Sequence, residues 1–171
     1  MNQDQLQALL TKVQQGALAV PDALHRLRTL PYENLGFASL DHHRALRQGF
    51  PEVIFCEGKT VSQVVAFAKT LLRKNNALLA TRVEPSVARA LLRVSKRAVY
   101  HEAARVVAIA PPKLKRRGSV LIVTAGTADI PVAEEARVTA DIMGSKTDTL
   151  YDVGVAGLHR LLGQQERLHD A

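Results

Sequence analysis

Two glycine-bearing segments late in the chain hold the groups best suited to chemistry. In VTAGTADIP, residues 123–131, Ala125, Gly126, Thr127 and Asp129 follow an apolar run and precede a proline. Gly126 lets backbone approach a ligand closely, and Thr127 brings a hydroxyl. Free N–H groups at a helix start complete a cradle for phosphate. Asp129 could take ribose hydroxyls or a metal. The segment has neither the G-x-G-x-x-G fingerprint nor a Walker loop, and an ordinary capped strand-to-helix turn is the plain alternative. In DVGVAGLHR, residues 152–160, Asp152, Gly154, Gly157, His159 and Arg160 follow the next strand-like run. His159 could move protons and Arg160 could clamp an anion, although a lone histidine is as commonly a helix-surface residue. In an open α/β sheet both segments lie at the carboxyl edge and face one another.

A third stretch, DHHRALRQGFPEVIFCEGKT at residues 41–60, mixes two histidines, basic residues, two phenylalanines and the chain's only cysteine. Adjacent histidines on extended chain point to opposite sides, and Cys56 stands at no common zinc-ligand spacing from them. No protein metal site is expected. The stretch reads instead as a ligand-facing loop, with Asp41, His42, Arg44, Arg47 and Lys59 for charged groups and Phe50 for stacking. Cys56 ends an apolar strand, so it is either a buried thiol or a nucleophile.

The bulk composition narrows the function classes. The chain has 171 residues, 47% of them hydrophobic, and a net charge of +7. That is enough for one domain with a core or for two small ones. It lacks a run of about 18 apolar residues that could span a membrane, and its start has no secretory pattern. One cysteine fits a reducing cytoplasm. The charge is local. Residues 89–117 hold nine Lys or Arg against the single acid Glu102. Such a segment suggests an anionic partner, and an anion- or nucleic-acid-binding module is the alternative function. Only Tyr100 interrupts it with an aromatic, where single-strand binders interleave several, so nucleic acid is not the favoured partner.

These residues need elements to hold them. Leu6, Leu9, Leu10 and Val13 predict a helix stopped by Gly16, and Pro21 opens a second that Pro31 ends. GFASLD and EVIFC read as strands flanking a polar loop. Thr60 and Gln63 form a capping box for a helix to about Lys74. ALLATRV is a strand, Pro85 opens a helix, and RVVAIA is a strand. This alternation predicts an α/β layer. PPKLKRRG, residues 111–118, reads as a basic linker between an N-terminal domain of residues 1–110 and a second of residues 119–171. There SVLIVTAG predicts a buried parallel strand. ADIPVAEEARVTADIMG predicts a helix ending at Gly144, TDTLYDVG a strand and AGLHRLLGQQERLHDA a helix. This βαβα unit is short for a doubly wound sheet.

Together, LPYENLGFASLDHHRALRQGFPEVIFCEGKT, TRV, YHEAARV, VTAGTADIPVAEEA and YDVGVAGLHRLL resemble the LarB family, the pyridinium-3,5-biscarboxylic acid mononucleotide synthases of nickel-pincer cofactor biosynthesis. The second half also resembles the start of the PurE (aminoimidazole ribonucleotide carboxylase/mutase) domain, which is flavodoxin-like. The resemblance implies carboxylation of the pyridinium ring of nicotinic acid adenine dinucleotide, with carbon dioxide or bicarbonate as co-substrate. Phosphoanhydride cleavage would release AMP, with magnesium assisting. It implies that Gly126, Thr127 and Asp129 form the nucleotide turn, with Ala128 where the family has serine. Asp152, Gly154, Gly157, His159 and Arg160 would form the facing loop, and His159 and Asp129 would be catalytic. Residues 41–59 would form the N-terminal wall. Family members continue with more strands and a nucleophilic cysteine, a position Cys56 does not occupy. The expectation is a C-terminally truncated chain, with an exposed sheet edge that favours a homo-oligomer.

Overall fold

The computed structural model describes residues 3–27, 32–112 and 114–170. Helices α1 (Gln3–Gln14) and α2 (Val20–Leu27) pack as a hairpin, with Gly16 at φ 72° leaving α1. Pro31, expected to end the second helix, lies outside the described residues. A small antiparallel ribbon follows, β1 (Glu33–Asn34) with β2 (Ser39–Leu40). The segment expected to be a polar loop contains a short helix, α3 (Arg44–Gln48). The cause is local: the Asp41 carboxylate accepts from the amides of His43 and Arg44 at 2.8 and 3.0 Å, and Gly49 closes the turn at φ 76°. Aspartate is well suited to satisfying helix-start donors in this way.

The central sheet has strands β3 (Ile54–Phe55), β4 (Leu78–Thr81), β5 (Val99–His101) and β6 (Val106–Ile109), in the order β3-β4-β6-β5. β3 and β4 are parallel, and β6 runs antiparallel to both of its neighbours. Every residue of β4 and β6 is buried, as their continuous apolar runs require of strands covered on both faces. One face is covered by α4 (Val61–Lys74) and α5 (Pro85–Val94), through Val64, Phe67, Leu71, Val87 and Leu91. Helix α4 starts where the sequence signals it. Gln63 N donates to Thr60 Oγ1 at 3.3 Å, and Thr60 N donates to Gln63 Oε1 at 2.9 Å. The strand Val99–His101 has no counterpart in the sequence reading.

Past the 111–118 segment lie β7 (Ser119–Val123), α6 (Ile130–Met143) and β8 (Lys146–Leu150), a βαβ unit with two parallel strands. Helix α6 serves both parts of the molecule. It packs on β7 and β8, and its Val138 and Ile142 fill the second face of the central sheet against Phe50, Leu79, Val106 and Ala108. Gly144 ends it at φ 105°, where a Cβ would meet Lys115 O at 2.7 Å. Strand β7 is not the buried strand its apolar run predicts: Val120 and Val123 are 40% and 44% exposed. The two-stranded sheet packs against α6, and no residue of β7 is fully buried. The final predicted helix is two, α7 (Leu158–Leu162) and α8 (Gln165–His169), separated at Gly163. The fold is mixed α/β.

Candidate functional site

The turns after β7 and β8 meet directly. Leu150 O accepts from Thr124 N and Thr124 O accepts from Val153 N, each at 3.0 Å. Thr124 Oγ1 accepts from Asp152 N at 3.2 Å, and Gly154 N donates to Ala125 O at 2.8 Å. Gly154 is required at this crossing, because a Cβ there would stand 2.6 Å from Ala125 O. Asp152 takes φ 59°, the left-handed region that aspartate tolerates better than most residues. The facing loops expected from strand order are therefore physically joined, and buried Thr124 is the pin between them. Thr124 was not singled out in the sequence. Its signal was its position as the last residue before the Ala125-Gly126 turn.

Gly126 begins a tight 3-10 turn, Thr127–Asp129, that leads straight into α6. The Asp129 carboxylate turns back to accept from Gly126 N at 3.0 Å, which fixes the shape of the turn. Thr127 is exposed. The amides of Thr127 and Ala128 open the helical turn, where donors lack intrahelical acceptors. Those donors, the positive end of α6 and the exposed Thr127 hydroxyl lie at one turn, a setting suited to an anion. In the second loop, Arg160 pairs with Asp152. Its guanidinium lies over Gly157, where a Cβ would stand 2.5 Å from Arg160 Nε. His159 precedes it on exposed α7. Ala125, Gly126, Thr127, Asp129, Asp152, Gly154, Gly157, His159 and Arg160 thus belong to one pair of joined loops.

A polar cluster supports that loop from behind. The Glu134 carboxylate accepts two bonds from Arg137, at 2.9 and 2.8 Å, and a third from the Tyr151 hydroxyl. The Arg137 bonds hold Glu134 below the ordinary carboxylate range. Burial, followed by the Glu134 bond, raises Tyr151. Tyr151 immediately precedes Asp152, so this bond anchors the second loop to α6. His101 borders the same cluster, and burial, then the Arg137 charge, pushes its imidazole down. Arg82, in the TRV segment at the end of β4, takes φ 55°. Its Nε lies 2.9 Å from Glu135 Oε2, off the line a hydrogen bond needs.

The residues singled out at 41–59 have internal partners. Asp41 binds Arg47 Nη2 at 2.7 Å besides starting α3. His42 is 1% exposed, and its Nε2 lies 3.0 Å from Glu33 Oε2. Glu33 also pairs with Arg73 and Lys74. Lys59 Nζ donates to Phe55 O at 2.7 Å and lies over the Phe55 ring. Arg44 is half-buried, and Phe50 sits in the core beneath α6. This stretch therefore builds α3 and β3, and His42 and Phe50 tie it to the β1–β2 ribbon and to α6. Cys56 is 4% exposed, and burial pushes its thiol up to about 11. At neutral pH it stays protonated and inert.

Among the described residues, no group of three or more His, Cys, Asp or Glu side chains converges as a metal cage. Asp129 and Asp152 already have partners. The magnesium that the family resemblance implies has no resident cage in these residues, and no chemical step is routed through it. No helix among the described residues is long and apolar enough to cross a membrane.

Comparison with known proteins adds two findings. Residues 32–111 match the family described as the LarB/PurE-like N-terminal domain. The chain is also 32% identical, over 175 aligned positions, to the uncharacterized protein MJ0165 of Methanocaldococcus jannaschii. That alignment covers 95% of this chain and 67% of the relative.

Proposed function

Because the chain belongs to the family marked by the LarB/PurE-like N-terminal domain, we propose that it binds a pyridinium dinucleotide, nicotinic acid adenine dinucleotide, for ring carboxylation in nickel-pincer cofactor biosynthesis. The family includes carboxylases and mutases, which makes a related carboxylase-like activity the coarse expectation. The observation that carries the finer reading is the joined pair of loops. Gly154 crosses Ala125 at hydrogen-bond distance, which joins the loop that carries Arg160 to the one that leads into the Thr127 turn. Both loops offer groups for phosphate: backbone donors and a hydroxyl on one, a guanidinium on the other.

The chemistry follows from the electron demand of the ring. A pyridinium is electron-poor and does not attack carbon dioxide. A nucleophile first adds to the ring and makes it enamine-like; the enamine carbon then bonds to carbon dioxide. A base removes the proton from that carbon, the nucleophile departs and aromaticity returns. Water opens the phosphoanhydride and AMP leaves. In this scheme Thr127, the turn amides and Arg160 hold the diphosphate. His159 is the proton carrier and Asp129 holds the turn in its binding shape. The covalent addition is not assigned to Cys56, whose thiol is buried and protonated.

The test is to supply the dinucleotide with labelled bicarbonate and magnesium, and to follow AMP and label in the ring. His159→Asn is expected to retain binding and to lose any turnover that the chain shows. Turnover unchanged in His159→Asn would remove His159 from the scheme. Turnover abolished by Cys56→Ser alone would return the thiol to it.

A further inference from the structure

The strongest unexplained feature lies away from the nucleotide loops, on the outer face of α4 and α5. Between Gly58 and His101 the chain carries nine Lys or Arg and one acid, Glu84. The fold divides these cations into two groups. Five have partners: Lys59 on Phe55 O, Arg73 and Lys74 on Glu33, Arg82 beside Glu135, and Arg97 on the carbonyls of Asn76 and Ala110. The other four, Lys69, Arg89, Arg93 and Lys96, are exposed and have no partner among the described residues. Glu84, the one acid of the segment, is held by Arg105.

Three of the four free cations lie on the outer sides of two packed helices. Val87, Ala88 and Leu91 bury one side of α5, and Val64, Ala68 and Leu71 bury one side of α4. At 100° per residue, Arg89 and Arg93 stand opposite the first set and Lys69 stands opposite the second, while Lys96 lies just past the end of α5. The two helices pack side by side on one face of the sheet. Arg89 and Arg93 are about 6 Å apart along the α5 axis. The surface differs from the linear 89–117 segment, since Arg97, Arg105 and Arg116 are consumed by internal contacts.

We propose that this face binds the phosphate backbone of a nucleic-acid duplex without reading its sequence. Charge complementarity selects the partner. Three uncompensated cations on rigid helices, with Lys96 just beyond α5, match a polymer carrying one negative charge per roughly 1.7 Å of axis. A protein partner needs aromatic or apolar anchors; the large apolar side chain among the outward cations is Leu92, only 40% exposed. A membrane surface needs an apolar face to insert, and this face has none of that kind. Without a stacking aromatic beside the cations, single strands are the poorer ligand.

The experiment uses the full chain and a 20-base-pair DNA duplex of arbitrary sequence, titrated by fluorescence anisotropy at several salt concentrations. Four phosphate contacts predict a slope of log K on log salt of about −3.6, a loss of about 150-fold between 50 and 200 mM. Arg89→Glu/Arg93→Glu is expected to lower affinity at least tenfold and to bring the slope to about −1.8. Lys12→Glu/Arg26→Glu makes the same change in net charge on the N-terminal helix hairpin, outside α4 and α5, and is expected to leave both unchanged. Equal losses in the two double variants would reduce the effect to net charge and overturn the proposal. Absence of binding at 50 mM would also overturn it. Tighter binding of poly-glutamate or of phosphatidylserine vesicles would give the face to an acidic protein or a membrane instead.

Discussion

At the scale of single residues, the site depends most on Gly154. A methyl group there would be driven into Ala125 O, and backbone cannot yield as a flexible side chain can. Gly154→Ala is expected to cost about 1–3 kcal/mol of stability, as overpacking does, and to separate the two loops. Arg160 gives the complementary case. Its ion pair with Asp152 joins side chains that are 40% and 47% exposed, so it adds at most about 1 kcal/mol to folding. Arg160→Ala is therefore expected to leave the denaturant midpoint almost unmoved. A charge-assisted bond to phosphate is stronger, about 1.5–3 kcal/mol, so dinucleotide affinity should fall roughly ten- to hundredfold. A midpoint that dropped together with affinity would mean that Arg160 is structural. His42 and Glu33 predict an acid response. Burial, against the pull of Glu33, keeps the His42 imidazole below its ordinary 6.5. Burial pushes Glu33 up, but bonds from His42 and Lys74 and the charges of Lys74 and Arg73 leave it below its ordinary 4.5. The unfolded chain therefore binds protons that the folded chain refuses, and stability falls as pH drops below about 6.5 and again below about 4.5. Thermal melts of His42→Gln should lose the first of these steps. A pH profile unchanged in that variant would contradict this account of the pair.

At the scale of elements, α6 holds the site against the rest of the molecule. Its first residues follow the Gly126 turn, and its Val138 and Ile142 enter the core beneath the central sheet. Ile142→Ala should cost about 2–5 kcal/mol while leaving the loops themselves intact, and chemical denaturation measures that loss directly. A cost below about 1 kcal/mol would mean that α6 is not seated as described. The elements that carry their own local signals were legible in the sequence. Thr60 and Gln63 announced α4, Pro85 opened α5, and Gly144 ended α6. The strands that were missed are two- or three-residue strands, too short to show a period of their own, that exist through pairing with a neighbouring strand. β5 is a strand because β6 offers it a ladder, and β1 because β2 does. Helix α3 was hidden because its start is an Asp41 side-chain bond within a run of charged residues. The apolar run of β7 predicts a strand covered on both faces, but β7 pairs only with β8 among the described residues and none of its residues is fully buried.

At the scale of the whole molecule, the two loops were legible as a pair because strand order alone brings the ends of parallel neighbours together. Their joining by Thr124 and Gly154 was not, since a close crossing leaves no periodic pattern. The 41–59 stretch shows the reverse problem. Its residue types suggest ligand contact, yet Asp41, His42 and Lys59 are engaged by their own neighbours. Charge followed the same course: within the basic 89–117 segment, Arg97, Arg105 and Arg116 are engaged internally while Arg89 and Arg93 stay exposed on α5. The central claim is that the joined loops bind a pyridinium dinucleotide, and calorimetry tests it most directly. Nicotinic acid adenine dinucleotide would be titrated, with magnesium, into the native chain and into Gly154→Ala, with AMP assayed on the same samples. The account predicts saturable binding by the native chain and at least tenfold weaker binding by the variant. Equal binding by both chains, or none by the native chain while it remains folded, would contradict it.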